Sequence, residues 1–299
     1  MAYSKQTSLE KWKDGISYEV AFWNNVYRWK HTYEGMMGWS LYGKCIELEQ
    51  FDANHYLSNI SSPKILDVGC GMSYATGNFI KRGDGLKEVE IHYVDPLASH
   101  FNKILHRYHR PLPAIEFGMA EYLSAFYPNH DIDLVIMQNA LDHSADPLKG
   151  IFEAIDILKP GGILYLNHHP NEAETEHYKG FHQYNISQNA DQLIIWNKKQ
   201  HWNINTLVGS FAEVTTSVHN NGHIIAVVRK KADVPADMLS NKKDLCELAE
   251  QLITVASNQS VFSACRQTCR YVYYNTVQFF AQALPWKVKM AVKRFIKQA

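Results

Sequence analysis

The chain has 299 residues, 46% of them hydrophobic and 12% aromatic, enough to bury a full core, so global disorder is excluded. Thirty basic residues balance thirty acidic ones, which argues against a protein that wraps a polyanion. The opening MAYSKQTSLEKWKDG lacks the apolar run of a secretory signal, and no stretch reaches the ~18 apolar residues of a membrane span, so a cytoplasmic setting is expected.

Three regions separate by pattern. Residues 1–60 read as a helical N-terminal cap: Tyr18, Phe22, Val26 and Trp29 recur at helical spacing, and Cys45 to Phe51 can continue the theme. Residues 61–231 alternate short β-branched runs with helical stretches, the mark of parallel βαβ units in a doubly wound α/β domain. The runs are KILDV (64–68), VEIHYV (89–94), AIEF (114–117), LVIM (134–137) and ILYLN (163–167). FAEVTTSV (211–218), the turn-prone HNNG and HIIAVVRKK read as a closing antiparallel hairpin. Residues 232–299 form a helical C-terminal extension, marked by Leu245, Leu248, Leu252 and Val255 and by a second helical stretch over 261–283. After Pro285, the segment 286–298 sets Val288, Val292, Phe295 and Ile296 against five lysines and arginines, which suits either a terminal helix or peripheral contact with an anionic membrane. The five cysteines are scattered, as in a reducing compartment.

The most informative string is KILDVGCGMSYATGNF. A buried strand ends at Asp67, Gly69 and Gly71 turn the chain, and a helix is expected from about Tyr74. An acid at the strand tip repels a pyrophosphate but suits a ligand with an ammonium and a sulfonium. The dinucleotide fingerprint also wants a third glycine where Tyr74 stands. Both features exclude a nicotinamide enzyme. Asp95 closes the second strand, 26 residues after Gly69, where a carboxylate accepts hydrogen bonds from ribose hydroxyls.

Ligands of such sheets sit beyond the carboxyl ends of the strands, so QNALDHSADP (138–147) and NHHPNEAETEHYKGFHQYN (167–185) are expected to supply the chemistry. His143 stands beside Asp142 just past the fourth strand, where a histidine serves as a base or orients the acceptor. His168, His169, His177 and His182 fall within fifteen residues, among Glu172, Tyr178 and Gln183, and read as a substrate loop. Neither HxxxH nor paired CxxC spacing occurs there, so no metal site is expected.

KILDVGCG, YVDP, GMAEYL, DLVIMQNALDHSADP and LKPGGILYL resemble, in order, the motifs of class I S-adenosylmethionine-dependent methyltransferases over about residues 62–170. The resemblance implies a seven-stranded, mostly parallel sheet with helical additions at both ends. It implies Asp67, Gly69 and Gly71 around the methionine part of S-adenosylmethionine, Asp95 on the ribose, Ala120 and Glu121 beside the adenine, and Gln138 near the methyl group. Cys70 and Pro96, in the same two turns, join that set. Ser73 stands where a third glycine is common, and Met119 where many relatives carry an acid. NALDHSxDP followed by NEAExExYxGxHQxN, with YEVAFWNN (18–25) upstream, resembles a group of bacterial methyltransferases associated with capsule, O-antigen and other surface glycans. That resemblance implies O-methylation of a small molecule, sugar or sugar-phosphate. It points to His143, His168 and His182 as catalytic residues and to Asn171 and Glu172, with Asn139, Tyr178 and Gln183 of the same segments, as acceptor-binding ones. A nucleic-acid methyltransferase is the weaker reading: Gln138-Asn139-Ala140-Leu141 stands where a D/N-P-P-Y/F/W string is usual. A non-catalytic scaffold is weaker too, since it predicts a damaged glycine turn and this one is intact.

Overall fold

The computed structural model describes residues 5–241 and 244–245, with side chains from residue 15 onward. The chain opens with helices α1 (Lys5–Arg28) and α2 (Lys30–Trp39), separated by the extended Trp29, and then α3 (Ala53–Ser58). Strands β1 (Ile65–Val68), β2 (Phe79–Arg82), β3 (Gly85–Glu88) and β4 (Ile91–Asp95) lead to α4 (Ala98–Arg107). Next come β5 (Glu116–Phe117), α5 (Leu123–Phe126), β6 (Ile132–Gln138), α6 (Pro147–Asp156), β7 (Leu158–His168) and α7 (Glu172–Thr175). Strands β8 (Asn185–Asn189), β9 (Gln192–Trp196) and β10 (His201–Asn203), helix α8 (Ile204–Val208), and β11 (Ala212–Val218) with β12 (Ile224–Lys230) follow.

Seven strands form the central sheet in the order β11-β12-β7-β6-β1-β4-β5. The pairs of β1 with β4 and β6, of β4 with β5 and of β6 with β7 are parallel, while β12 lies antiparallel to β7 and pairs with β11 as the expected hairpin. The central strand β1 is buried on both faces, which is why ILDV reads as a continuous apolar run broken only by Asp67. The strand order reverses between β1 and β6, so the carboxyl ends of β1, β4, β6 and β7 surround one crevice. α4 buries Phe101, Ile104 and Leu105 on one face of the sheet. α6 buries Ile151, Ala154 and Ile155 on the other, with Asp146 capping its start by accepting from the Lys149 amide at 3.1 Å.

The structure departs from the sequence pattern at several places. No helix follows the glycine turn. Tyr74 takes φ 48°, and its carbonyl accepts from the Leu41 amide and the Ser40 hydroxyl, both at 3.0 Å. Thr76-Gly77-Asn78 are weak helix formers, and a Cβ at Gly77 would run into the backbone of Cys45. Asn78 instead receives the Gly43 amide at 2.6 Å and donates to Glu88 at 2.9 Å, so the chain continues as the β2–β3 hairpin. Residues 45–51 are accordingly not helical; Cys45 bridges to Phe79, and Leu48 to Phe51.

The buried face of α1 also differs. Ile16, Trp23, Val26 and Tyr27 are buried, while Tyr18 and Trp29 remain 58% and 46% exposed. Apolar residues sit on more than one side of this helix, and its packing partner selects the face: the Trp23 and Phe101 rings lie 6.4 Å apart, and the Tyr27 hydroxyl donates to the Met72 carbonyl at 2.6 Å. The small sheet β10-β9-β8 was not expected at all. Beyond Leu245, the C-terminal extension, Cys246, Cys265 and Cys269, and the basic segment 286–298 lie outside the described residues.

Candidate functional site

At the tip of β1 the amides of Gly69 and Cys70 both donate to the Val94 carbonyl, at 2.8 and 3.3 Å, tying the glycine turn to β4. Asp95 fixes it further: one carboxylate oxygen accepts from the Gly71 amide at 3.1 Å and the other from the Leu97 amide at 2.8 Å. Gly69 and Gly71 both have positive φ, 68° and 54°. A Cβ on Gly69 would strike that of Ala140, and one on Gly71 would stand 2.9 Å from the Trp23 ring. These glycines therefore let β6 and α1 close around the turn, in addition to sparing room for a ligand.

Between these groups lies a cavity of about 720 Å3. Gly69, Cys70, Gly71, Asp95, Pro96, Ala120, Glu121 and Gln138 line it. Asp67 does not: it is buried beneath the turn, where it pairs with the side chain of Thr76. Glu121 accepts the Ala145 and Asp146 amides at 2.7 and 3.3 Å, so it also holds the loop before α6. Burial pushes Asp67 up to about 6, against the Thr76 hydrogen bond. It likewise pushes Asp95 and Glu121 up to about 7, against the amides that bond them.

The same cavity reaches the tips of β6 and β7. Asn139, also at positive φ, accepts the His169 amide at 3.0 Å and so clips the two tips together. At the far wall His143 Nε2 and His182 Nδ1 lie 3.1 Å apart, with Asp142 Oδ2 at 3.4 and 3.1 Å from them respectively. Asp142 is buried, and burial alone would raise its carboxyl. The surrounding His143, His182 and His168 outweigh that and hold it well below the ordinary carboxylate range. Burial opposes a proton on His182 too, but the Asp142 hydrogen bond and charge leave its pKa raised. His168, 1% exposed, lies behind the cluster with Nδ1 3.9 Å from Asp142 Oδ1, and burial lowers its pKa to about 4. Glu172 faces the cavity beside this cluster, its carboxyl raised by burial and then by Asp142.

Three expected acceptor residues do not line the cavity. The Tyr178 hydroxyl accepts from Asn185 at 3.0 Å, with Lys198 4.2 Å above its ring. Gln183 donates to the carbonyls of Tyr178 and Gly180 at 3.2 and 2.7 Å, holding the loop's shape. Asn171 precedes α7 in a left-handed conformation, its amide bonded to Ile186 at 3.1 Å. The polar character that marked this loop in the sequence serves its own folding at those positions. Conversely, the cavity takes Glu19, Phe22 and Trp23 from α1, and Met36 and Trp39 from α2. Trp23 donates to Glu19 at 2.8 Å, and Gly15 packs directly on Phe181, so α1 spans both ends of the site. The E-x-x-F-W string in YEVAFWNN was the available signal.

A profile describing a methyltransferase domain matches residues 66–166, which carry the glycine turn, Asp95, Gln138 and the Asp142–His143 pair. Those residues are a methyltransferase domain. Its sheet is that of class I methyltransferases, and its methyl donor is S-adenosylmethionine. The cavity suits such a cationic donor: its described lining holds the carboxyl groups of Glu19, Asp95, Glu121 and Glu172 and neither lysine nor arginine. No curated protein matches the chain. Among solved structures, the 16S rRNA N2 G1207 methyltransferase of T. Thermophilus, in complex with AdoMet and guanosine, is 12% identical at a TM-score of 0.35, over 66% of this chain and 43% of that one. An amino pentose methyltransferase of Micromonospora echinaspora is 12% identical at 0.35, over 58% of this chain and 86% of that one. An O-methyltransferase family protein from Burkholderia thailandensis is 11% identical at 0.37, over 61% and 56%.

Proposed function

We propose that this methyltransferase domain, with the additions at 1–60 and 232–299, methylates a hydroxyl oxygen of a small polyhydroxylated acceptor of the sugar class. One observation carries the reading: a single cavity runs from the Gly69–Gly71 turn and Asp95 to the Asp142, His143 and His182 cluster. S-adenosylmethionine supplies an electrophilic methyl group on sulfur. Asp95 retains lone pairs for ribose hydroxyls, Ala120 and Met119 give an apolar wall beside the base, and Gln138 marks the point between the two ends. The Asp142 cluster faces the acceptor oxygen, where a methyl-accepting hydroxyl needs its proton handled. Phe22, Trp39 and Phe181 offer flat apolar faces on which a sugar ring can rest.

A membrane-resting role for 286–298, in a protein of the cytoplasm, belongs to this proposal on the sequence alone. Among the described residues no helix is long and apolar enough to cross a membrane. The test is a methyl-transfer screen with labelled S-adenosylmethionine on free sugars, nucleotide-sugars, oligosaccharides and RNA, read by mass spectrometry. A methyl ether on a sugar hydroxyl is expected. Transfer to RNA alone, or to a nitrogen, would overturn the reading.

A further inference from the structure

We infer that Asp142, His143 and His182 form a binding site for one divalent transition-metal ion at the acceptor end of the cavity. The inference deepens the reading of that site given above and rests on it for the ion's use, though not for its binding.

The geometry is a closed triangle. His143 Nε2 and His182 Nδ1 are 3.1 Å apart, His182 Nδ1 and Asp142 Oδ2 3.1 Å, and His143 Nε2 and Asp142 Oδ2 3.4 Å. Two donors each ~2.1 Å from an ion and roughly 90–110° apart stand about 3.0–3.4 Å from one another, so the three edges are those of a coordination polyhedron. Hydrogen bonding cannot satisfy all three edges of the triangle at once. Each imidazole nitrogen carries at most one proton, and an ionised carboxylate carries none. With one proton on His182, it points to Asp142 or to His143 and leaves the other edge as two facing lone pairs. With protons on both nitrogens, both N–H groups can donate to Asp142 Oδ2, but the two protonated nitrogens are then left 3.1 Å apart with no bond between them. A cation inside the triangle satisfies all three edges at once.

A second observation lies behind the triangle. Asp142 Oδ1 and both ring nitrogens of His168 are buried without hydrogen-bond partners, and His168 Nδ1 is 3.9 Å from that oxygen. Buried polar groups seldom go unpaired, and an imidazole this close behind the carboxylate adds a polar outer layer to the triangle of the kind that influences a metal ligand. Two imidazoles and one carboxylate favour manganese, iron, cobalt, nickel or zinc over magnesium or calcium. The side chains of His143 and His182 are 28% and 22% exposed on the cavity side, which leaves an entry path. An ion held there keeps open positions toward the cavity, where the hydroxyl oxygens of an acceptor can be fixed.

The experiment uses the full chain without an affinity tag, stripped with a chelator and dialysed. Titration with Co2+ and Zn2+, followed by calorimetry, by elemental analysis after desalting and by the visible Co2+ spectrum, should give one tightly bound equivalent. Asp142→Asn, His143→Ala and His182→Ala should each weaken binding by more than about 100-fold, beyond the ~10–100-fold of outer-shell changes, and His168→Gln should fall within that smaller range. His219→Ala, which removes a histidine paired with Glu49 elsewhere, should keep the full equivalent. S-adenosylmethionine titrated into the same samples keeps the two readings distinct. Cofactor binding without metal binding by the wild-type chain would overturn the metal site and leave the methyltransferase reading intact. Metal binding without cofactor binding would do the reverse. If the triangle variants misfold, the wild-type stoichiometry and the His168→Gln and His219→Ala pair still decide: equal loss in both, or in neither, overturns the assignment.

Discussion

The two ends of the cavity are built by different means. The end proposed for the nucleoside is mostly backbone. Gly69, Cys70 and Gly71 hang on the Val94 carbonyl and the Asp95 carboxylate, all within residues 65–97, and the positive φ values leave little choice of residue. The end proposed for the acceptor is mostly side chains from loops far apart in the chain. Asp142 and His143 follow β6, while His182 reaches them across 39 or 40 positions from the loop before β8. A backbone-built end tolerates few substitutions and keeps one ligand; an end built from loop side chains can change its acceptor without disturbing the sheet.

The largest expected effect tests whether the ends are separable. His143→Ala and His182→Ala should each lower turnover by about 10²–10⁴-fold, the range for losing a group that handles the acceptor's proton. Calorimetry with S-adenosylmethionine should show nearly unchanged affinity. A loss of cofactor binding would show the two ends to be one unit.

Asp95→Ala is the converse. It should weaken S-adenosylmethionine binding by about 1.5–3 kcal/mol, the range for hydrogen bonds to a charged group, while turnover at saturating cofactor stays closer to normal. Unchanged affinity in a folded variant would remove Asp95 from the nucleoside site.

Gly71→Val should cost about 1–3 kcal/mol of stability in urea unfolding, because the new side chain meets Trp23 and cannot relax into φ +54°. Adding Trp23→Ala should recover the steric part only. Full recovery would mean that the backbone conformation contributes little.

The last effect is one of pH. Burial raises Asp95 to about 7 and Asp67 to about 6, above their ordinary 3.8, so the folded state holds protons that the unfolded chain has lost. The contribution of these two groups, and of Glu121 raised the same way, should therefore be largest at low pH in this window and fall as pH rises from about 4 through 7, by up to about 1.4 kcal/mol per pH unit for each proton. Buried His168, lowered to about 4, opposes it over about 4 to 6.5. Cofactor affinity runs the other way, since ribose hydroxyls donate to the ionised Asp95 and a cationic ligand favours both carboxylates. The rise in Tm on adding S-adenosylmethionine should be larger near pH 8 than near pH 6. Parallel rather than opposed trends would show that Asp95 binds the ligand in its protonated form.

The sequence by itself determined the central sheet and the glycine turn at the tip of β1. The strand runs that carry Asp67 and Asp95 and the Gly69–Gly71 turn are local: a few neighbouring residues set each conformation, and β1 and β4 pair directly, so there pattern and structure coincide. The sequence also pointed to the histidines near both acceptor-end strand tips. It did not show that Asp142 stands at their centre, nor that Tyr178, Gln183 and Asn171 are spent on loop geometry while Glu19, Phe22 and Trp23 enter the cavity. Those outcomes depend on which loop lies beside which. The helix expected at Tyr74 gave way for the same reason: residues 40–46 dock along 74–79 and take the backbone groups a helix would have used. Local periodicity cannot register a competitor about thirty residues upstream, and only the packed chain decides which bonds are made.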